Sequence, residues 1–391
     1  MKLNSKLAAN MRAATKALFR KGPTAATSTI VEQAMKNATA VQEAMRNATA
    51  VQQSMNPLRD INPPPAAPAS NQPAYDPTRV SQEIVPEMFA KLDLMQEAMA
   101  LFRSPGAGRA PVAPLPGTFT QDSYTNAAGT RSYKLYVPST YKGEPVPLVV
   151  MLHGCTQDPD DFAVGTQMNA LAEEIGCLVV YPAQSQQANA SRCWNWFNAL
   201  DQKRDQGEPS IIAGITRDIM ARYPVNPSQV YVAGLSAGGA MATIMGTLYP
   251  DLYAAVGVHS GLPFAAAHDL PSALAAMKGD FKRRNKPGQA VPVIVFHGDR
   301  DTTVHPTNAD EVIEHVRHKS HNIAVEPGAV PDGHAYTRTL HRRADGHVHA
   351  EHWLIHGAGH AWSGGHASGS YTDGKGPDAS REMMRFFRTH K

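Results

Sequence analysis

From about residue 119 to the end of the chain, short apolar runs alternate with stretches of helical spacing. The apolar runs predict strands and cover residues 131–137, 147–153, 177–181, 229–233, 254–258, 291–296 and 351–355. The stretches between them predict helices over residues 160–176, 209–223, 236–249, 308–318 and 378–390. Continuous apolar strands that alternate with helices are typical of a parallel sheet buried on both faces. We therefore predict an α/β fold with a ligand site at the carboxyl ends of the strands.

The N-terminal part of the chain has a different pattern. A near-repeat of ten residues covers residues 31–55 and pairs each valine with a methionine four residues later, which is the spacing of one helical face. Prolines interrupt residues 57–68, and a second helical stretch covers residues 86–102. We predict a partly helical extension over residues 1–115 and a folded domain over residues 116–391. The extension either docks on an apolar surface or partner helix, or is a loose segment or a covering helix of the domain.

Composition narrows the class of protein. Of the 391 residues, 42% are hydrophobic and 18% are charged, and the formal net charge is +3. These values suit a globular protein, and no dense basic run with interleaved aromatics indicates a nucleic-acid partner. No apolar run reaches the roughly 18 residues of a transmembrane helix. Cations are scattered through residues 1–21 instead of preceding an apolar run, so we expect a cytoplasmic protein without a signal peptide. An amphipathic mitochondrial leader is the alternative.

The sequence Gly234-Leu-Ser236-Ala-Gly238 follows a predicted strand and precedes a run of small residues that suits a helix. A serine at such a sharp strand-to-helix turn projects above the sheet, and the flanking glycines avoid collisions there. This is the context of a nucleophile elbow in an α/β-hydrolase. The dipole of the following helix favours a developing oxyanion. We therefore predict Ser236 as a nucleophile.

A nucleophilic serine needs a base, and in this fold the acid and the histidine follow the serine in that order. Asp299 and Asp301 both come directly after a predicted strand, so the pattern alone leaves both as candidates for the acid. His360 lies in a glycine-rich loop after the last predicted strand, and glycines would let this loop turn back toward Ser236. We predict His360 as the general base.

The oxyanion hole of such an enzyme needs two main-chain N–H groups. We expect one from Ala237, next to the nucleophile, and the other from Cys155 in the loop after the strand at 147–152. Among the histidines, His347 and His349 alternate with Glu351 along one face of a predicted strand, and we interpret this as a solvated strand face. Metal binding by these three residues is the alternative interpretation.

Three tryptophans lie in or near the loops that carry these residues, namely Trp194, Trp196 and Trp362. Two of them stand in a polar-flanked segment, which favours a role as walls of a substrate-binding pocket; the alternative is an ordinary place in the core. The three cysteines are Cys155, Cys177 and Cys193. Their odd number argues against a dense disulfide framework, and Cys177 lies in an apolar run and should be buried. Cys155 and Cys193 can pair in an oxidising compartment, and the sequence leaves this open.

Taken together, seven segments resemble the poly(3-hydroxybutyrate) depolymerase family of esterases, which includes feruloyl and acetylxylan esterase-like members. The segments are His153-Gly-Cys-Thr-Gln157, Tyr181-Pro-Ala-Gln184, Cys193-Trp-Asn-Trp-Phe197, Gly207-Glu-Pro-Ser210, the elbow within residues 230–241, His297-Gly298 with Asp301, and Gly357-Ala-Gly-His-Ala-Trp-Ser-Gly-Gly365. The resemblance implies a triad of Ser236, Asp301 and His360, and an enzyme with no metal and no cofactor.

Secreted depolymerases of that family carry a signal peptide and an added substrate-binding domain, whereas we expect neither here; an extracellular location is the alternative. We expect residues 1–110 to help the protein meet an apolar surface such as a polyester granule. The predicted function is serine carboxyl-ester hydrolysis of poly- or oligo(3-hydroxybutyrate). A feruloyl or acetylxylan-type esterase is the alternative within this class, and a non-catalytic polyester-granule binding protein is the alternative of another class.

Overall fold

The computed structural model describes residues 114–280, 291–317 and 321–391, so all but the last two residues of the predicted extension lie outside it. The strands in these ranges are β1 (Thr118–Asn126), β2 (Gly129–Val137), β3 (Val146–Leu152), β4 (Leu178–Pro182), β5 (Val225–Leu235), β6 (Ala255–His259), β7 (Val293–Gly298), β8 (Asn322–Ala329), β9 (Ala335–Arg342), β10 (Val348–Ile355), β11 (Trp362–Ser363) and β12 (Thr372–Asp373). The helices are α1 (Pro159–Thr166), α2 (Met168–Ile175), α3 (Gly207–Arg222), α4 (Ala237–Leu248), α5 (Leu270–Met277), α6 (Thr307–Arg317) and α7 (Ala379–Phe387).

Ten of these strands form one sheet in the order β1-β2-β4-β3-β5-β6-β7-β10-β9-β8. The central strands from β4 to β10 run parallel, and the strands at both edges pair antiparallel. All seven predicted strands lie in this sheet, which confirms the predicted α/β class. The edge strands β1 and β8 fall outside the predicted runs, because their side chains are mainly exposed and lack a continuous apolar pattern.

Helices cover both faces of the sheet. Side chains of β3 alternate between the two layers: Leu148 and Val150 belong to the hydrophobic cluster that includes residues of α3, α4 and α6, whereas Val149 and Met151 belong to the cluster that includes residues of α1, α2 and α7. Burial of each such side chain contributes roughly 1.5–3 kcal/mol, which is why a sheet covered on both sides has apolar residues at successive positions. Every helix of the described ranges is too short or too polar to span a lipid bilayer.

The helix predicted over residues 160–176 is two helices in the structure, so that prediction is wrong in detail. Gln167 adopts a φ of +55° between α1 and α2. The Thr166 hydroxyl donates to the carbonyl of Phe162 at 2.8 Å, a local bond that often bends a helix. The break turns α2 relative to α1, and both helices keep their apolar sides on the sheet.

Candidate active site

Ser236 occupies a strained turn between β5 and α4. Its φ is +58° and its ψ is −121°, a conformation that residues with a Cβ rarely adopt. Its main-chain N–H donates a 2.9 Å hydrogen bond to the carbonyl of His259 at the end of β6, which holds the turn against the neighbouring strand. A strained serine at a strand-to-helix turn has the geometry of a nucleophile elbow.

Two glycines allow this turn. A Cβ at Gly238 would overlap the carbonyl oxygens of Leu152 and His153, and a Cβ at Gly234 would overlap the carbonyl of Gly238. The first turn of α4 therefore packs directly on the main chain at the end of β3. An alanine at either position would have to displace main-chain atoms, so the spacing of the two glycines follows from the close approach.

His360 and Asp301 are hydrogen-bonded at the same edge of the sheet. The His360 Nδ1 lies 2.7 Å from one carboxylate oxygen of Asp301, and the other oxygen accepts the N–H groups of Thr303 and Val304. Burial would raise the pKa of Asp301, but the attraction of His360 and hydrogen bonds from His297 and His360 outweigh it and hold this pKa well below its usual range. The ionised Asp301 therefore keeps the proton of His360 on Nδ1 and leaves Nε2 as an acceptor.

Asp299, the other candidate for the acid, has different partners. Its carboxylate accepts the N–H of Gly357 at 2.7 Å and lies 3.0 Å from Nδ1 of His356. The structure thus pairs Asp301, and not Asp299, with His360. Asp299 instead fixes the beginning of the loop in which His360 lies.

This loop is tied to the strand that holds the elbow in place. The N–H of Ser363, three residues after His360, donates to the Nε2 of His259 at 2.9 Å, and the carbonyl of the same His259 accepts the N–H of Ser236. Ser236 follows β5, Asp301 follows β7 and His360 follows β10, and these strands lie in the adjacent series β5-β6-β7-β10. The sequence-predicted triad residues therefore belong to one edge of the sheet.

The loop after β3 lies beside the elbow. A Cβ built on Gly154 would come 3.6 Å from the Cβ of Ser236, and the Gly154 N–H donates to the side chain of Gln157. Among the hydrogen bonds between described residues, none uses the N–H of Ala237 or Cys155 as its donor. Ala237 opens α4, where helical N–H groups have no partner within the helix. Both N–H groups remain candidates for an oxyanion hole.

His153 supports this loop from inside the protein. Its Nε2 accepts the N–H of Gln184 at 3.1 Å, so its Nδ1 carries the proton and donates to the carbonyl of Gly154 at 2.7 Å. Its own carbonyl accepts the indole N–H of Trp194 at 3.1 Å. Burial lowers the pKa of His153 to about 4, so the ring is neutral at pH 7.

Cys155 and Cys193, whose pairing the sequence leaves open, form a disulfide. The bond joins the loop after β3 to the segment that begins with Trp194. Cys177 is a buried free thiol, which confirms that prediction. The candidate oxyanion loop is therefore fixed covalently as well as by hydrogen bonds.

The three tryptophans do not share one role. Trp194 is 0% exposed and packs beside His153, and Trp362 is 1% exposed and stacks on His259 with ring centroids 5.1 Å apart. A fully buried ring presents no surface to a substrate, so the prediction that these two line a substrate pocket is wrong; they support the site loops from within. Trp196, which is 6% exposed, stays a prediction.

A buried polar network that the sequence analysis missed lies behind the disulfide. Glu208 at the start of α3 accepts hydrogen bonds from Arg131, from the Gln184 amide, and from both the main-chain and side-chain N–H of Asn195. Asp201 accepts the N–H of Glu208 at 2.7 Å, and burial together with the charge of Glu208 raises the pKa of Asp201 to about 7. Gln184, Asn195 and Glu208 lie in segments that carry the family resemblance, which is the signal that the sequence offers for this network, whereas Arg131 and Asp201 lie outside those segments.

The candidate metal ligands do not assemble into a site. Glu351 accepts hydrogen bonds from Arg338 at 3.0 Å and from Arg385 at 2.6 Å, so its charge is already matched. His347 is exposed whereas His349 is buried. No group of three side chains suited to a metal ion occurs in the part of the chain that the structure describes. The three residues therefore form no common metal site, and the burial of His349 and Glu351 shows that the interpretation as a solvated strand face is wrong.

A cavity of about 480 Å³ lies at the amino ends of the central strands, opposite to the candidate active site. Its lining includes Tyr253 before β6, Pro292 before β7 and Val348 at the start of β10. These positions mark the amino ends of the strands, whereas Ser236 follows the carboxyl end of β5. The cavity is therefore separate from the candidate active site.

Known proteins resemble this chain in sequence and in structure. Poly(3-hydroxyalkanoate) depolymerase C of Paucimonas lemoignei is 34% identical over 251 residues, which cover 60% of this chain and 59% of that protein. Feruloyl esterase B of Thermothelomyces thermophilus is 29% identical over 199 residues, which cover 46% of this chain and 67% of that protein. The match thus spans less than two thirds of the depolymerase.

Among solved structures, an acetyl xylan esterase from Aspergillus awamori matches with a TM-score of 0.55 and 20% identity, covering 69% of this chain and 99% of that chain. At this identity the likeness shows the fold, which is that of an α/β-hydrolase. The family model described as "Esterase PHB depolymerase" matches residues 131–326, about half of the chain. That segment contains the elbow and Asp301, and on this match the chain belongs to the PHB depolymerase family of esterases.

Proposed function

We propose that this protein hydrolyses carboxylic esters, with Ser236 as nucleophile, His360 as general base and Asp301 as the acid that orients the base. The observation that carries the proposal is the 2.7 Å hydrogen bond between His360 Nδ1 and Asp301, at the sheet edge where Ser236 occupies its strained turn. The bond leaves the Nε2 of His360 to accept a proton, and a serine hydroxyl is a weak nucleophile without such a base.

Acylation begins when the Ser236 Oγ attacks the ester carbonyl carbon and His360 Nε2 takes the hydroxyl proton. The tetrahedral oxyanion accepts hydrogen bonds from the N–H groups of Ala237 and Cys155. The bond to the alcohol oxygen then breaks, and His360 gives its proton to this leaving group. An acyl ester of Ser236 remains.

Deacylation repeats these steps with water as the nucleophile. His360 takes a proton from the water, the second tetrahedral intermediate uses the same two N–H groups, and the proton returns to Ser236 as the acid leaves. Asp301 stays ionised throughout and stabilises the imidazolium that forms twice in each cycle.

The proposed substrates are esters of 3-hydroxyalkanoic acids, in particular poly- or oligo(3-hydroxybutyrate). Family membership and the 34% identical poly(3-hydroxyalkanoate) depolymerase support this class. Feruloyl and acetylxylan esters are the second candidate, supported by the 29% identical feruloyl esterase. An assay of hydroxybutyrate oligomers, methyl ferulate and acetylated xylan distinguishes the two classes by the substrate with the highest kcat/KM.

Turnover of p-nitrophenyl butyrate by the wild type and by Ser236→Ala tests the activity itself. We expect the substitution to lower kcat by about 10³-fold or more, because the members of a triad act as a unit. Equal low rates for both proteins would contradict the proposal and favour the alternative of a non-catalytic polyester-granule binding protein.

The contact of residues 1–110 with a granule surface stays a prediction. All of that segment lies outside the described residues. The cytoplasmic location also stays a prediction, and the Cys155–Cys193 disulfide favours the alternative of an extracellular location, because disulfides are rare in the cytosol. Removal of residues 1–110 should reduce co-sedimentation with polyester granules and leave p-nitrophenyl butyrate turnover in place. Unchanged co-sedimentation would contradict the granule-binding role.

A further inference from the structure

His259 ends the central strand β6 and is fully buried. Its ring stacks with two aromatic side chains: the centroid of the Phe296 ring lies 5.8 Å away at an interplanar angle of 13°, and that of the Trp362 ring lies 5.1 Å away at 27°. These two stacking contacts hold the plane of the imidazole. The directions in which its two nitrogens point are therefore set by the packing.

Hydrogen bonds fix which nitrogen of His259 carries the proton. The Ser363 N–H donates to Nε2 at 2.9 Å, so Nε2 is the acceptor, and Nδ1–H donates to the Ser260 hydroxyl at 3.2 Å. Burial, with the nearby His297 and His360, lowers the pKa of His259 well below its usual value. The ring is thus a neutral acceptor aimed at the loop that carries His360.

Two loops of the active site therefore meet on this one residue. The carbonyl of His259 holds the N–H of Ser236, and its ring holds the N–H of Ser363, three residues after His360. On the other side of His360, Gly357 is held by Asp299. The hydrogen bond from Ser363 to the His259 ring therefore links the loop of the base to the turn of the nucleophile through one rigid residue.

We propose that His259 is a positioning residue of the esterase reaction, which sets the His360 loop in register with the Ser236 elbow. The inference rests on the proposed roles of Ser236 and His360. His259 touches no substrate in this scheme. Its contribution is to keep the proton acceptor within reach of the serine, and misplacement by about 1 Å can cost about 10²-fold in rate.

A matched pair of variants separates this role from simple core packing. His259→Gln offers an amide oxygen near the position of Nε2. His259→Met introduces a side chain of nearly the same shape as glutamine but without such an acceptor. We expect the methionine variant to lose about 10²-fold in kcat with little change in KM, and the glutamine variant to stay within about tenfold of the wild type. His352→Met is the control, because His352 is another largely buried histidine and lies 3.7 Å from Asp310 of α6.

A folded His259→Met protein with the kcat of His352→Met would overturn the proposal, since loss of stability alone moves Tm and not the split between kcat and KM. Histidine ¹⁵N NMR of the wild type gives a test that needs no variant to fold. His259 should be in the Nδ1–H form at pH 7, and an Nε2–H form would overturn the proposal. Ser236→Ala and His360→Ala distinguish failure of the proposed esterase function from failure of the positioning role. If both variants lose activity and His259→Met does not, only the positioning role of His259 is contradicted.

Discussion

The His360 imidazole is hydrogen-bonded through Nδ1 to Asp301 at 2.7 Å, while Asp299, two residues earlier, is paired with His356 at 3.0 Å. Two aspartates from one turn thus hold two histidines of one loop. The Asp301 carboxyl is buried and the Asp299 carboxyl is 35% exposed. Only the first pair is placed to orient a base.

The two aspartates should respond very differently to the same change. Asp301→Asn removes the charge that orients His360 and stabilises its protonated form, and we expect kcat to fall by about 10⁴-fold. Asp299→Asn, the matched control, should stay within about tenfold because it affects only the start of the loop. Steady-state turnover of p-nitrophenyl butyrate at pH 7 measures both, and equal losses would contradict the assignment of the acid.

Reduction of the Cys155–Cys193 disulfide should lower both stability and activity. The bond closes a loop with a sequence separation of 38, and its loss should cost about 3–4 kcal/mol in the free energy of unfolding. It also frees the loop that offers the Cys155 N–H, so kcat should fall. Thermal unfolding and turnover with and without dithiothreitol measure both effects.

Cys177→Ala is the control for that experiment. Burial raises the pKa of the Cys177 thiol to about 12, so the thiol is unreactive at neutral pH, and this variant should respond to reductant as the wild type does. A double variant, Cys155→Ser with Cys193→Ser, should be insensitive to reductant. A wild type whose kcat is unchanged after complete reduction would show that the disulfide does not position the loop.

The protein should lose stability as pH falls from 6.5 toward 4. Burial lowers the pKa of His153 and of His352 to about 4 and lowers the pKa of His259 well below its usual value, so the unfolded chain binds more protons in this range than the folded chain. Each such histidine lowers the free energy of unfolding by up to about 1.4 kcal/mol per pH unit. Urea unfolding at pH 7 and pH 5 measures this effect. His352→Met should reduce the change in the free energy of unfolding between pH 7 and pH 5 by about the contribution of one histidine. An unchanged pH dependence in this variant would contradict the lowered pKa of His352.

Neutralising Glu208 should lower the stability of the protein, whereas neutralising Asp201 should raise it at pH 8. Glu208→Gln leaves the buried Arg131 without its anion, and removal of one partner of a buried pair costs about 3–5 kcal/mol. The folded-state pKa of Asp201 is raised to about 7, so its stabilising protonated form is lost as pH rises from 4 to 7. Asp201→Asn should therefore raise Tm at pH 8 and change it little at pH 4. A lower Tm at pH 8 would contradict the buried charge at Asp201.

The sequence predicts the parts of the molecule that depend on local pattern. The buried parallel strands have continuous apolar runs, and the turn around Ser236 needs its glycines at fixed positions, so both can be recognised from the sequence alone. The exposed edge strands and the break at Gln167 have no such pattern. The choice between Asp299 and Asp301 depends on which carboxylate faces His360, which is a property of the folded loop.

The role of His259 could not be predicted from the sequence either. His259 ends an apolar strand as His153 and His297 do, and this shared position is the signal that sequence could have offered. Its partners Ser236 and Ser363 lie 23 residues before it and 104 residues after it. A bond between loops so distant in sequence depends on the order of the strands in the sheet.

In the proposed mechanism Ser236 carries the acyl group during turnover. Mass spectrometry of peptides from enzyme quenched in acid during reaction with p-nitrophenyl butyrate detects this group, with His360→Ala and Asp299→Asn treated in parallel. We expect a butyryl group on Ser236 in the wild type and in Asp299→Asn, and much slower formation of that group in His360→Ala. An active wild type with the acyl group on another residue, or an acylated Ser236 that forms at the same rate without His360, would contradict the account.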